Sequence, residues 1–193
     1  ISTAGLYAYI SGSPYVFMEI YGVTEKQYGW IFALIAMGLI GASQVNSVLL
    51  KIYTSEQIIK AALCCQSVIG LVLAGITFLG WGDLFLTIFL IFIFLCSQGF
   101  IFPNASALSL APFGHTAGSA SALLGGIQMS IGAGTSAVVS VLQGRAALPM
   151  TGVMAACAAI ALTVFLFGSR IIVKRASITA VVEEEVELIS STM

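Results

Sequence analysis

Tyr9, Ser13 and Phe17 recur at four-residue intervals, a spacing that stacks side chains along one side of an α-helix. Ser97 and Asn104 stand seven residues apart, with Gln98 beside the first, and Ser121, Gln128 and Thr135 repeat the same interval farther along. Gln44, Asn46 and Gln66 add further amides. Rings, hydroxyls and amides stack and hydrogen-bond, so a cavity lined by them would bind neutral or amphipathic organic molecules. The bland alternative is that each bonds to a neighbouring helix, an interaction averaging about 0.6 kcal/mol in membranes. Acid–base and nucleophilic chemistry is not on offer. No charged residue or histidine sits in the middle of an apolar run, and no nucleophile–base pair is visible, so the reading is of a non-enzyme without cofactor.

The elements that position these residues must lie in lipid. The chain of 193 residues is 59% hydrophobic and 8% charged, against about 25% charged in soluble domains. Its formal net charge of -1 comes with no basic stripe, which sets nucleic acid aside as a partner. Cys64, Cys65, Cys96 and Cys157 lie in apolar runs without metal-ligand spacing, and are expected to be small buried hydrophobes. The partner implied throughout is a lipid bilayer.

Spans of about 20 apolar residues fall at 1–20, 28–50, 57–79, 84–111, 117–143 and 150–173. The expected fold is all-α: a polytopic membrane protein whose bundle covers 1–173. Short connections make neighbouring helices antiparallel, and the continuous runs exclude an alternating β-barrel pattern. Residues 174–193, with Glu183, Glu184, Glu185 and Glu187, form an acidic tail expected to be disordered. Lys51, Lys60, Arg170, Lys174 and Arg175 fall on one side of the bundle, and Lys26 and Arg145 on the other. The positive-inside rule therefore puts the C-terminus in the cytoplasm. Tyr21, Trp30, Tyr53 and Trp81 near span ends fit interfacial anchors.

Pro14 and Pro103 interrupt the first helix of each three-helix half, as in transporters made of inverted repeats. Gly118, Ala122, Gly126, Ser130 and Gly134 make a row of small residues along the fifth span that would let another helix approach. Glu19, at the outer end of the first span, is the only candidate intramembrane acid; its expected place is at a cavity mouth, with proton coupling as the sharper alternative.

The segments Tyr9-Ile10-Ser11-Gly12-Ser13-Pro14-Tyr15-Val16-Phe17, Tyr28-Gly29-Trp30-Ile31-Phe32-Ala33-Leu34, Phe102-Pro103-Asn104 and Gly118-Ser119-Ala120-Ser121-Ala122 resemble the bicyclomycin-resistance (Bcr/CflA) family of the major facilitator superfamily. The resemblance runs to about Arg170 and matches the C-terminal half, helices seven to twelve. It implies half of a major facilitator fold with two inverted three-helix repeats. It also implies a multidrug efflux antiporter of the bacterial inner membrane, exchanging a small-molecule substrate for protons by alternating access with an N-terminal six-helix half that this chain lacks. The first and fourth helices of each half line the cavity in such proteins. Tyr9, Ser13, Phe17, Ser97 and Gln98 are then the expected substrate contacts, with Gln128 behind them. Pro14, Pro103 and Asn104 become helix bends, the last two near the inner gate. The 51–60 loop lacks the superfamily's acid–arginine signature, so coupling residues are expected in the other half. Two alternatives stay open: a carrier for a metabolite such as a sugar or amino-acid derivative, and a bundle that packs or scaffolds membrane complexes without transport.

Overall fold

A computed structural model describes residues 1–142 and 147–168, and among these every regular element is helical. Helix α1 (Ser2–Pro14) continues into a π-helical turn, Tyr15–Ile20. It is followed by α2 (Glu25–Leu49), α3 (Ser55–Leu79), α4 (Leu84–Leu110), a 3-10 segment Ala111–Thr116, and α5 (Ala117–Leu142). A last helix, α6, spans Leu148–Gly168. Arg145, Arg170 and the acidic tail lie outside the described residues.

Four helical stretches are long and apolar enough to cross a membrane: Glu25–Leu49, Ser55–Leu79, Leu84–Leu142 and Leu148–Gly168. The chain is therefore a polytopic α-helical membrane protein. The third stretch has 59 residues and would reach about 88 Å as one straight helix, against a hydrocarbon core of about 30 Å. It is divided where Phe113 leaves helical geometry, at φ -106 and ψ 32.

Local chemistry sets the ends. Thr24 and Thr54 each accept from the backbone N–H three residues on, while Gln27 and Gln57 accept from the backbone N–H of Thr24 and Thr54. These reciprocal capping boxes draw polar residues into the first turns, so α2 and α3 start at Glu25 and Ser55, ahead of the apolar runs. Glu25 and Glu56 also complement the positive helix ends. Gly80, at φ +69, closes α3 in the left-handed conformation that glycine adopts without a Cβ penalty.

Helix α4 runs between α2 and α3, and α1 packs along α5. The fully buried ring of Phe94 in α4 lies against Gly5 of α1 and Gly70 of α3, where Met154 and Ala155 of α6 also arrive. Ser67 of α3 donates to the Ala158 carbonyl at 3.1 Å, a second tie to α6. The tightest approach is between α2 and α4. A Cβ at Gly99 would stand 2.5 Å from the Leu39 carbonyl oxygen and 2.9 Å from the Ala42 Cβ. Only glycine fits there.

Two expectations change at this level. Cys64 and Cys65 are exposed on α3, and Cys96 and Cys157 are half-buried, so none is enclosed. In a bilayer an apolar run satisfies lipid as well as a core, and apolarity does not choose between them. On α5 the close contact runs through Gly132, against the ring of Tyr7, while Gly118, Gly126 and Gly134 have no atom of another residue within Cβ reach.

Candidate functional site: a cavity between four helices

The π turn after Pro14 shapes one side of the molecule. Proline has no N–H to give its own turn, and here the helix widens instead of breaking: the Tyr21 N–H reaches back five residues to the Val16 carbonyl at 3.2 Å. Widened turns of this kind re-aim the side chains they carry. Phe17, fully buried, lies 6.1 Å from Tyr28 and 6.3 Å from Tyr21 between ring centroids. Tyr28 leads to Phe32, and Phe32 stacks on Tyr9 at 6.2 Å and 14°. Ser13 and Tyr28 share a hydrogen bond of 2.9 Å. Tyr21 shares one of 2.8 Å with Thr87 and donates to the Gly82 carbonyl at 3.1 Å, tying the end of α1 to the start of α4.

Tyr9, Ser13 and Phe17 are thus enclosed in a ring-stacked joint between α1 and α2, and none of them borders a cavity described below. Their expected placement was along an open cavity, and the rings and hydroxyl meet protein neighbours here. The reason is geometric: residues two apart are about 200° apart around a helix, so Tyr9 and Tyr7 face opposite ways. Tyr7, on the other face, meets α5. Its hydroxyl donates to Met129 Sδ at 3.2 Å, and its ring packs on Gly132.

Behind Tyr7 lies a cavity of about 300 Å³ shared by four helices. Thr3, Leu6 and Tyr7 come from α1, Leu39 and Ser43 from α2, Gln98, Gly99, Phe102 and Pro103 from α4, and Gln128 and Met129 from α5. A second cavity of about 210 Å³ shares Thr3, Gln98, Phe102 and Gln128 with it. No charged side chain is among the described residues lining either. Of the residues expected to contact substrate, the structure brings together Gln98 and Gln128.

Gln98 is the best-defined member. It is 2% exposed, and its Oε1 accepts from Gln66 Nε2 at 3.1 Å and lies 2.7 Å from Ser2 Oγ. Ser2 Oγ is also 2.9 Å from Gln66 Oε1, so its single proton serves one of the two oxygens at a time. Gln98 Nε2 has no partner among the described residues. An unpaired buried amide is costly, and this one belongs to the residue that lines both cavities. The arrangement presents two primary amides, the aromatic face of Phe102 and a phenol to a neutral space.

Ser97 points elsewhere. Its hydroxyl donates to the Ile93 carbonyl at 3.0 Å, and the residue borders a different groove, between α2, α3 and α4. Asn104 is buried and donates to Asn46 Oδ1 at 2.6 Å and to the Phe100 carbonyl at 2.8 Å. Pro103 does not interrupt α4, which runs helically from Leu84 to Leu110. The Asn104 amide adds a donor in the turn where proline removes one. Glu19 is exposed at the end of the π turn. Thr3, Tyr7 and Phe102 also line the cavity without standing out in the sequence as site residues, although Thr3 and Tyr7 have the same four-residue spacing as Tyr9, Ser13 and Phe17.

The fold and cavity define a class, polytopic α-helical membrane proteins with an uncharged cavity between helices. Sequence relationship makes the class specific. The chain is 29% identical over 150 residues to the uncharacterized MFS-type transporter YdgK of Bacillus subtilis, covering 78% of this chain and 37% of that protein. It is 30% identical over 168 residues to the bicyclomycin resistance protein homolog of Haemophilus influenzae, covering 86% of this chain and 42% of that protein. The chain is a relative of an MFS-type transporter and of a bicyclomycin resistance protein homolog, proteins named for transport and drug resistance rather than for catalysis. It spans about two fifths of the length of the curated relatives it matches. No family model and no solved structure matches the chain.

Proposed function

We propose that this chain forms the C-terminal half of a secondary transporter that exports drugs or other small organic molecules in exchange for protons. In this reading α1 to α6 are six spans arranged as two inverted three-helix repeats in a bacterial inner membrane, with the C-terminus cytoplasmic. Another six-helix half, of a length that matches what the relatives have in addition, completes the alternating-access machine.

The observation that carries the proposal is the uncharged cavity lined by Gln98 and Gln128 in a chain whose relatives include an MFS-type transporter and a bicyclomycin resistance protein homolog. Gln98 and Gln128 hydrogen-bond the substrate and Phe102 packs on it. Tyr9, Ser13 and Phe17 serve the site by holding α1 against α2. The π turn at Pro14 and the Asn46–Asn104 tie beside Pro103 are the places where the helices flex during gating. Glu19 stands at the mouth, and the protons travel mainly through the other half.

Tyr9, Ser13 and Asn104 bond and stack within the bundle as they would in a purely packing protein. The cavity is what separates transport from packing. The deciding experiment is to express the full-length gene in a pump-deficient bacterium and measure tolerance and proton-dependent efflux across neutral and cationic compounds. Raised tolerance that collapses with a protonophore supports export. Unchanged tolerance with unchanged efflux removes it, and uptake of a sugar or amino-acid derivative in the same cells would establish a metabolite carrier in its place.

A further inference from the structure

A groove of about 540 Å³, larger than either cavity lined by Gln98, lies between α2, α3 and α4, bordered by Tyr53 and Gln57 at the α2–α3 turn and by Ala61, Cys65, Ser97 and Phe100 deeper in. Gln57, Ala61 and Cys65 succeed one another at four-residue steps down α3, which carries the groove about 12 Å from its mouth. Its character changes along that path. A phenol and an amide stand at the mouth, while below them come methyl groups, a thiol and a ring, with Ser97 already bonded to its own helix. The floor is therefore satisfied without a polar guest.

Lys51, two residues before Tyr53, and Lys60, next to Ala61 on α3, are both exposed, and Glu56 is the single acid between them. Beside the groove-lining Cys65, α3 exposes Cys64, Val68, Leu71 and Val72. On a membrane-spanning helix that surface is in contact with acyl chains. A mainly apolar groove on a membrane-spanning helix, with two exposed lysines on the neighbouring turns, matches one occupant.

We infer that this groove holds an acyl chain of an anionic phospholipid, whose headgroup is met by Lys51, Lys60 and the Tyr53 hydroxyl. Anionic headgroups gain about fivefold in affinity for each nearby basic side chain. The site is distinct from the Gln98 cavity, and it requires only that the helices span a bilayer.

The test uses the full-length protein reconstituted in phosphatidylcholine vesicles, with spin-labelled phosphatidylglycerol or phosphatidylcholine as the probe. The expected result is preferential immobilisation of phosphatidylglycerol. The double variant Lys51→Gln/Lys60→Gln brings the two lipids to within about twofold of one another. Ala61→Phe, at an exposed position that tolerates a ring, fills the channel and removes one immobilised lipid per protein while circular dichroism stays unchanged. Cys65→Leu supplies a milder filling that acts in the same direction. Equal immobilisation of both lipids by the unaltered protein overturns the inference. So does an unchanged lipid count in both filling variants, or a loss of oligomeric or inter-helix cross-links in Ala61→Phe, which would identify a protein helix as the occupant.

Discussion

Asn104 Nδ2 lies 2.6 Å from Asn46 Oδ1, and both residues are buried at the crossing of α2 and α4. The bond sits beside the two features that make this crossing unusual, a proline at 103 and a glycine at 99 that no larger residue can replace. The contact is short and buried, so its loss is felt on both helices.

Replacing Asn104 by Ala strands the Asn46 carbonyl in an apolar interface. The single variant should lose about 1 kcal/mol or somewhat more of stability. In a double-mutant cycle with Asn46→Ala the coupling should fall between about 0.6 and 1.7 kcal/mol. Unfolding in detergent micelles measures both, and additive single losses would show that the two amides act independently.

Gly99→Ala forces α2 and α4 apart, because its new methyl meets the Leu39 backbone and the Ala42 side chain. The expected cost is about 1–3 kcal/mol. Gly75→Ala is the control: nothing lies within 4 Å of its Cβ, and alanine is the better helix former by about 1 kcal/mol. It should be neutral or slightly stabilising in the same melt.

Tyr9 acts through its ring. Tyr9→Phe keeps the stack on Phe32 and should retain native thermal stability. Tyr9→Ala opens a cavity and should cost about 3–5 kcal/mol, with poor accumulation in the membrane.

The transport proposal makes a sharper demand on Gln128, which touches both cavities without sharing the Gln66 and Ser2 contacts of Gln98. Gln128→Leu should lower efflux of a hydrogen-bonding substrate by about tenfold, the worth of one hydrogen bond, at normal expression. Glu19→Gln should leave proton-dependent efflux within about twofold of the parent, since the residue is exposed and coupling is assigned elsewhere. Abolished coupling in Glu19→Gln would instead make it the proton carrier.

The lipid solvent and the helical class were legible from composition and run length alone. Which side of each helix meets protein was not. Lipid and core are both apolar, so Cys64 and Cys65 read as buried and stand exposed. The amides were legible as a set, but their pairing was hidden. Asn46 finds Asn104 58 residues away and Gln66 finds Gln98 32 away, through helix crossings that local spacing does not specify. On α1 the aromatic row Tyr9 and Phe17 drew attention from Thr3 and Tyr7. Both rows have the same period, and only the position of α5 decides between them.

The widened turn from Tyr15 to Ile20 also has a consequence for anyone tracing accessibility along α1. A π turn takes up one residue more than an α turn, so the rhythm of protected and reactive positions must skip a beat after Pro14. A cysteine scan read with an uninterrupted helical period would still group Phe17 with Tyr9 and Ser13, and would fall out of step beyond it, toward Tyr21. The offset in such a scan would itself report whether the turn persists as the protein moves, because a return to ordinary helix would put the beat back.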